Sequence, residues 1–245
     1  MDSELLEIMI ENGMIEKSAV EHLEQVIFHT LPKEGGYAPW DVFFNDEWNK
    51  ETRDSFDSIV KFYTDDAHTI FQSSMSGSFA GCGINSKFSK YIKPGMMFMD
   101  YGSGGGREAF GAVKAGANVT ICDVSKRMMD ACVLLAGKNG YSIKSILIDQ
   151  DVPSLPKEAF DFVVTIDCLE HVRCPVDVLH ELVKSMKPGA LMWNEVFFGG
   201  HDLSPYHLLE TRHYGQGTEW VDILTNAGLV CIDDESTEGH LWKKL

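Results

Sequence analysis

Long apolar runs are missing from this 245-residue chain. No stretch approaches the roughly 20 consecutive apolar residues that span a bilayer. The opening residues, MDSELLEIMIENG, are acidic where a secretory signal carries a basic n-region. The expectation is a cytoplasmic protein with no membrane partner. Positive charge is also scarce: 21 Lys and Arg stand against 37 Asp and Glu, for a net charge of −16. No Lys/Arg run is longer than Lys243-Lys244. A field of that sign repels a phosphate backbone, so nucleic acid is not an expected partner. The six cysteines, at 82, 122, 132, 168, 174 and 231, form no CxxC pair. Without a secretion signal they read as reduced, mostly buried thiols rather than a disulfide framework or a zinc site. Internal repeats and low-complexity segments are missing too.

What is present is a 44% hydrophobic composition, enough for a sizeable core, in a length that suits one large domain or a domain with an appendage. The chain changes character near Pro94. Residues 1–92 carry 16 acidic and 7 basic residues and read as a mostly helical cap. A periodic run starts after Ser18 and stops at Pro32. A second, DSFDSIVKFYTDDAHTIF, sets Phe56, Ile59, Val60, Phe62 and Tyr63 on one helical stripe. Between them GGYAPWDVFFND reads as a loop punctuated by turn formers, whose Tyr37, Trp40, Phe43 and Phe44 pack between helices or close over a ligand site.

Residues 93–245 alternate short apolar runs with helical stretches. MMFMD, VTICD, KSILI, FDFVVTI and ALMWNEV read as strands. Residues 107–115, KRMMDACVLLAG, Pro175 to Met186 and Thr218 to Ala227 read as helices. This βαβα alternation predicts a doubly wound, mainly parallel α/β sheet with helices on both faces. Ligands of such sheets sit beyond the carboxyl ends of the strands.

The strand ending at Asp100 runs into Tyr101-Gly102-Ser103-Gly104-Gly105-Gly106 and then directly into a helix. Glycines let a ligand approach the backbone, and the free N–H groups of a helix start favour polar ligand groups. The turn points to a nucleotide-like ligand. Read from Gly104, it fits the G-x-G-x-x-A form of a dinucleotide fingerprint, and Asp123 lies 19 residues further on, where a ribose-binding acid belongs. An NAD(P)-dependent oxidoreductase is therefore open at this point. In either case the ionised Asp123 offers two acceptor oxygens to ribose hydroxyls.

Read from Asp100, the segment D-Y-G-S-G-G-G resembles the first motif of class I S-adenosylmethionine-dependent methyltransferases. Four later segments resemble the same family in order. They are Asp151-Val152-Pro153-Ser154-Leu155-Pro156, Phe160-Asp161-Phe162-Val163-Val164, Asp167-Cys168-Leu169-Glu170-His171-Val172, and LHELVKSMKPGALMW. The resemblance covers roughly residues 94–232 and is closest to small-molecule methyltransferases of ubiquinone and menaquinone biosynthesis. Ala190 stands where relatives usually carry a second glycine. The resemblance implies a Rossmann-like core, S-adenosylmethionine as cofactor, and methyl transfer to a small-molecule acceptor. It assigns Asp100, Gly102, Ser103, Gly104 and Gly106 to the cofactor's methionine end and the turn. Asp123 and Val124 fall at the ribose, Asp151 and Val152 at the adenine (with Asp149 a rival), and the backbone of Asp167 near the amino group. A protein that binds the cofactor without turnover is a further alternative.

A base is needed only where the acceptor must lose a proton. Candidates follow the fourth and fifth strands: His171, then His201, His207 and His213. Pro205-Tyr206-His207-Leu208 resembles the family's loop at the acceptor pocket. His171 and His207 are the candidates for acceptor contact or proton removal. Asp167, Glu170 and His171, at i, i+3 and i+4, would share one face of a helical turn. With His207 they resemble the E-x-x-E-H set of metal-dependent O-methyltransferases, with Asp167 in place of the first Glu. The expectation is that no metal is needed and that a chelator has no effect.

Overall fold

The computed structural model describes residues 3–27, 39–50, 52–76, 78–198, 207–233 and 240–245. Seven strands form one sheet: β1 (Met97–Tyr101), β2 (Asn118–Asp123), β3 (Ile143–Leu147), β4 (Phe160–Ile166), β5 (Met186–Glu195), β6 (Leu229–Asp233) and β7 (His240–Lys244). Their order is β3-β2-β1-β4-β5-β7-β6. Strands β1 to β5 pair in parallel, and β7 runs antiparallel between β5 and β6. The central strand β1 is buried along nearly its whole length, as a parallel strand covered on both faces must be. From β1 the chain winds outward through β2 and β3, then returns to β4 on the other side. The switch point therefore lies between β1 and β4.

Helices α6 (Arg107–Lys114), α7 (Lys126–Lys138), α8 (Pro175–Ser185) and α9 (Glu219–Asn226) cover the sheet. Ser125 caps α7 by accepting the Met128 N–H, as its position before the helix predicts. The antiparallel β7 was not legible locally, because its partners β5 and β6 are set by long-range pairing rather than by a turn.

Residues before Pro94 supply five described helices: α1 (Glu4–Glu11), α2 (Lys17–Gln25), α3 (Pro39–Asn49), α4 (Phe56–Thr64) and α5 (Asp66–Met75). Three features differ from the sequence reading. The aromatic stretch containing Trp40, Phe43 and Phe44 is helix α3, not loop; Pro39 starts it, at a position where a missing N–H costs nothing. Tyr37 lies outside the described residues. The run from Asp54 to Phe71 is two helices, because Asp65 leaves helical geometry (φ −66°, ψ 166°) and its carboxylate accepts the His68 N–H at 2.7 Å. Helix α1 had not been anticipated. Ser3 caps it, and Leu5, Leu6, Ile8 and Met9 are buried along it. They join one hydrophobic cluster with Met128, Cys132 and Leu135 of α7. No described helix is long and apolar enough to cross a membrane.

Candidate functional site

A cavity of about 510 Å³ opens at the carboxyl ends of β1, β2 and β4, within the range of roughly 300–1,000 Å³ for small-molecule sites. Its floor is the turn after β1. Gly102 has φ +72°, and a Cβ there would overlap the Cys168 side chain. Gly105 is required by approach: a Cβ would overlap the Ser76 hydroxyl and lie 2.9 Å from the Gln72 carbonyl. Ser76 also donates to the Gly105 carbonyl at 2.9 Å. The end of α5 thus sits on the glycine turn.

Two acids flank this floor. Asp100 is 6% exposed and accepts the Ala109 N–H of α6 at 3.0 Å. Burial, with Glu108 nearby, pushes its carboxyl up to about 8. Asp123 is 9% exposed; Oδ1 accepts from Ser125 N–H at 2.8 Å and Oδ2 from Gly104 N–H at 2.9 Å. Burial raises its carboxyl above the ordinary value, opposed by those backbone bonds. The Ser103 hydroxyl, also on the cavity wall, is buried and has no hydrogen-bond partner among the described residues. Five carboxylates line the cavity (Asp100, Glu108, Asp123, Asp151 and Asp167) against two guanidinium groups, Arg107 and Arg173. Arg173 bonds Asp151 at 3.1 Å.

The roof comes from the N-terminal helices. Phe44, Phe56, Ile59, Val60, Phe71 and Met75 face the cavity. The α4–α5 junction above it is held by Arg127 of α7, which donates to the Thr64 carbonyl at 2.8 Å, to Asp66 Oδ1 at 2.6 Å and to Thr69 Oγ1 at 2.9 Å.

Beside the cavity lies a second constellation. Asp167, Glu170, His171 and His207 bring one donor atom each within 4.8 Å of one another. They do not share a helical face as their spacing suggests. Only Leu169–His171 form a 3-10 turn, and Asp167 precedes it in the left-handed region with φ +50°, a conformation costing a non-glycine residue roughly 1–2 kcal/mol. The Asp167 N–H is tied to the Glu195 carbonyl at 3.0 Å, while its side chain stays 76% exposed. Glu170 is fully buried: Oε1 accepts the Phe197 N–H at 2.8 Å, and Oε2 has no hydrogen-bond partner among the described residues. Burial raises its carboxyl pKa. The His207 ring stands edge-on to His171, centroids 4.7 Å apart, and burial and His171 lower it to about 4. It is therefore neutral near pH 7. A mixed imidazole and carboxylate donor set with a buried, half-satisfied carboxylate fits a divalent cation.

Of the residues expected from sequence, Asp100, Gly102, Ser103, Gly104, Asp123, Val124, Asp151, Asp167 and His171 line the cavity. Gly106, Val152 and His207 are not on its wall; Gly106 is the N-cap of α6, and His207 backs His171. Neither Asp149 nor His213 lines the cavity, and His213 is exposed beside Glu219 at 3.8 Å. His201, Pro205 and Tyr206 lie outside the described residues. Sequence reasoning missed Gln72, Ser76, Arg107 and Arg173, which no local pattern marks, and the roof positions Phe71 and Met75.

The methyltransferase domain family matches residues 99–193. A ubiquinone biosynthesis O-methyltransferase of Colwellia psychrerythraea strain 34H is 34% identical over 112 residues, which is 45% of this chain and 44% of that protein. A sterol 24-C-methyltransferase of Gibberella zeae is 27% identical over 160 residues, 58% of this chain and 42% of that one. The matched stretch thus spans less than half the length of these curated relatives. A SAM-dependent methyltransferase crystal structure from Aquifex aeolicus shares the fold, with a TM-score of 0.51 at 21% identity over 65% of this chain and 88% of that one. The parallel strands, the acid-glycine turn at their switch point and the family match agree: residues 99–193 match the methyltransferase domain family, and the chain shares the fold of a SAM-dependent methyltransferase structure.

Proposed function

We propose that this protein binds S-adenosylmethionine and transfers its methyl group to a small, largely apolar acceptor. The observation that carries this reading is the pair of acids at the glycine turn. Asp100 lies at the base of the glycine turn and Glu108 in the first turn of α6, where a dinucleotide would put its anionic pyrophosphate. The ammonium and sulfonium of S-adenosylmethionine favour the ionised forms of these two acids, whereas a pyrophosphate beside them could be held only with the acids protonated. The NAD(P) alternative is disfavoured on that ground. When bound, S-adenosylmethionine supplies a methyl group whose bonding pair stays on the departing sulfur.

The chain's own residues bind, orient and exclude water. Asp123 keeps a free lone pair on each oxygen after its two backbone bonds, enough for two ribose hydroxyls. Ser103 Oγ and Asp100 face the methionine end, and Asp151 with Ile148 suits the adenine end. The aromatic and aliphatic roof keeps water from the reacting centre and favours an acceptor of matching apolarity. His171 on the wall can take a proton from an acceptor hydroxyl. Calorimetric titration tests the reading: S-adenosylmethionine and its demethylated product bind and raise Tm, whereas NAD and NADP do not. The reverse pattern overturns it. Transfer of a labelled methyl group to a panel of hydroxylated apolar compounds then separates an enzyme from a protein that only binds the cofactor.

A second reading of the His171 side is favoured by Glu170 Oε2, buried with no hydrogen-bond partner among the described residues, and by the convergence of its three neighbours. Asp167, Glu170, His171 and His207 would hold a divalent cation, which when bound lowers the pKa of a nearby acceptor hydroxyl. His171 would then be a ligand rather than a base. Loss of turnover with a chelator, restored by Mg²⁺ or Mn²⁺, supports it; turnover indifferent to chelator returns His171 to the role of base.

A further inference from the structure

One contact to the His171 ring comes from the N-terminal helices. Tyr63, the penultimate residue of α4, places its hydroxyl oxygen 2.7 Å from His171 Nδ1, with the rings at 73° and centroids 5.6 Å apart. On the other side of the imidazole, Nε2 lies 3.6 Å from Asp167 Oδ1. That separation is too long for a good hydrogen bond. It lies just beyond the separation of two donors that share one ion, since atoms each about 2.1 Å from a metal sit about 3–3.5 Å apart.

A neutral imidazole carries one proton. With the proton on Nε2, the ring presents an N–H to Asp167 and binds no metal. With the proton on Nδ1, that N–H donates to the Tyr63 oxygen and the Nε2 lone pair faces the donor cluster. Metal-binding histidines generally have this kind of partner on the other nitrogen, which fixes tautomer and ring orientation. Tyr63 is itself held firmly. The His68 ring meets it edge-on at 4.8 Å, Asp65 caps α5 immediately beyond α4, and Arg127 bonds the Thr64 carbonyl one residue further along. His68 is buried, and burial with His171 nearby lowers its pKa to about 3.

We infer that Tyr63 is a positioning residue for a divalent cation: its hydroxyl accepts His171 Nδ1–H and so turns the Nε2 lone pair toward an ion shared with Asp167, Glu170 and His207. The inference rests on the cation reading above, and it makes an N-terminal helix part of the site's chemistry rather than only its cover.

The test uses Mn²⁺ and the full chain. Electron paramagnetic resonance of free Mn²⁺ gives its affinity for the wild type, Tyr63→Phe and His171→Ala. The expected result is one Mn²⁺ per wild-type chain, binding weakened about 10- to 100-fold in Tyr63→Phe, and no specific binding in His171→Ala. Circular dichroism spectra of wild type and Tyr63→Phe should coincide, which shows that the variant is folded. Equal Mn²⁺ affinity in wild type and Tyr63→Phe overturns the inference and leaves the cation reading standing. No Mn²⁺ binding by the wild type overturns both. A second measurement does not depend on any variant folding. ¹⁵N chemical shifts of the metal-free wild type should show His171 protonated at Nδ1, and protonation at Nε2 overturns the inference.

Discussion

Asp123 Oδ2 accepts the Gly104 N–H at 2.9 Å across 19 residues of sequence. With Oδ1 on Ser125 N–H, one carboxylate ties the turn after β1 to the start of α7. Asp123→Ala therefore removes two things. Cofactor affinity should fall by about 1.5–3 kcal/mol through lost charge-assisted bonds. Two partly buried N–H groups also lose their acceptor, so stability should fall by about 1–3 kcal/mol. Titration calorimetry and denaturant unfolding measure the two effects. Asp123→Asn, which keeps one acceptor oxygen, should be intermediate in both.

Asp100 gives a pH dependence of definite sign. Its folded pKa of about 8 lies above the ordinary 3.8, so between these values the folded state holds a proton that the unfolded chain has released. Its contribution to stability is complete below about pH 4 and is lost as pH rises through about 8. Unfolding of the wild type should show this slope, and Asp100→Asn should flatten it. A cationic cofactor beside Asp100 favours the ionised form, so binding near pH 7 should release a proton. Binding enthalpies in buffers of different ionisation heat detect that proton; an unchanged enthalpy contradicts the placement of charge.

Gly105 and Ser76 should be coupled. Gly105→Ala drives a methyl group into the Ser76 hydroxyl, at a cost of about 1–3 kcal/mol for overpacking. In a Ser76→Ala background the cost should be smaller, because the first atom met is gone. A double-mutant cycle on unfolding free energies reads the difference, and strict additivity would show that α5 does not press on the turn.

Much of the cavity floor was legible because its signals are local. Asp100, the glycines and Asp123 lie at strand ends whose spacing is set by a single βαβ unit. The break at Asp65 was also written locally, as an acid at an N-cap, but the apolar stripe on either side hid it. The helix at Trp40 to Phe44 was obscured by the turn formers just before it. The rest depends on distance in sequence. Tyr63 meets His171 across 108 residues, and Arg127 reaches Thr64 across 63. The convergence of Asp167 with Glu170 and His171 arises from a left-handed Asp167, a conformation that a helical count of i, i+3 and i+4 cannot anticipate.

The packing of α1 on α7 tests the unity of the molecule. Leu5 and Met9 are fully buried, and replacing either by alanine should cost about 2–5 kcal/mol. Scanning calorimetry should show a single heat-absorption peak that moves to lower temperature in each variant. A separate early peak would mean that the N-terminal helices melt on their own.

The position of that packing has a consequence for how the molecule opens. Helix α7 begins three residues after Asp123. Part of its buried apolar surface packs with α1, and its Arg127 grips the α4–α5 junction. Peeling away the first helices strips the backing of the same element that follows Asp123. Ligand entry by detachment of the whole N-terminal segment would thus cost a large part of the global unfolding energy. Smaller excursions at the roof, in α3 and the ends of α4 and α5, leave α1 and α7 engaged. Amide hydrogen exchange should accordingly divide the N-terminal helices by depth: α1 exchanging with the sheet on the slowest timescale, and α3 on a faster one that the methyl donor slows.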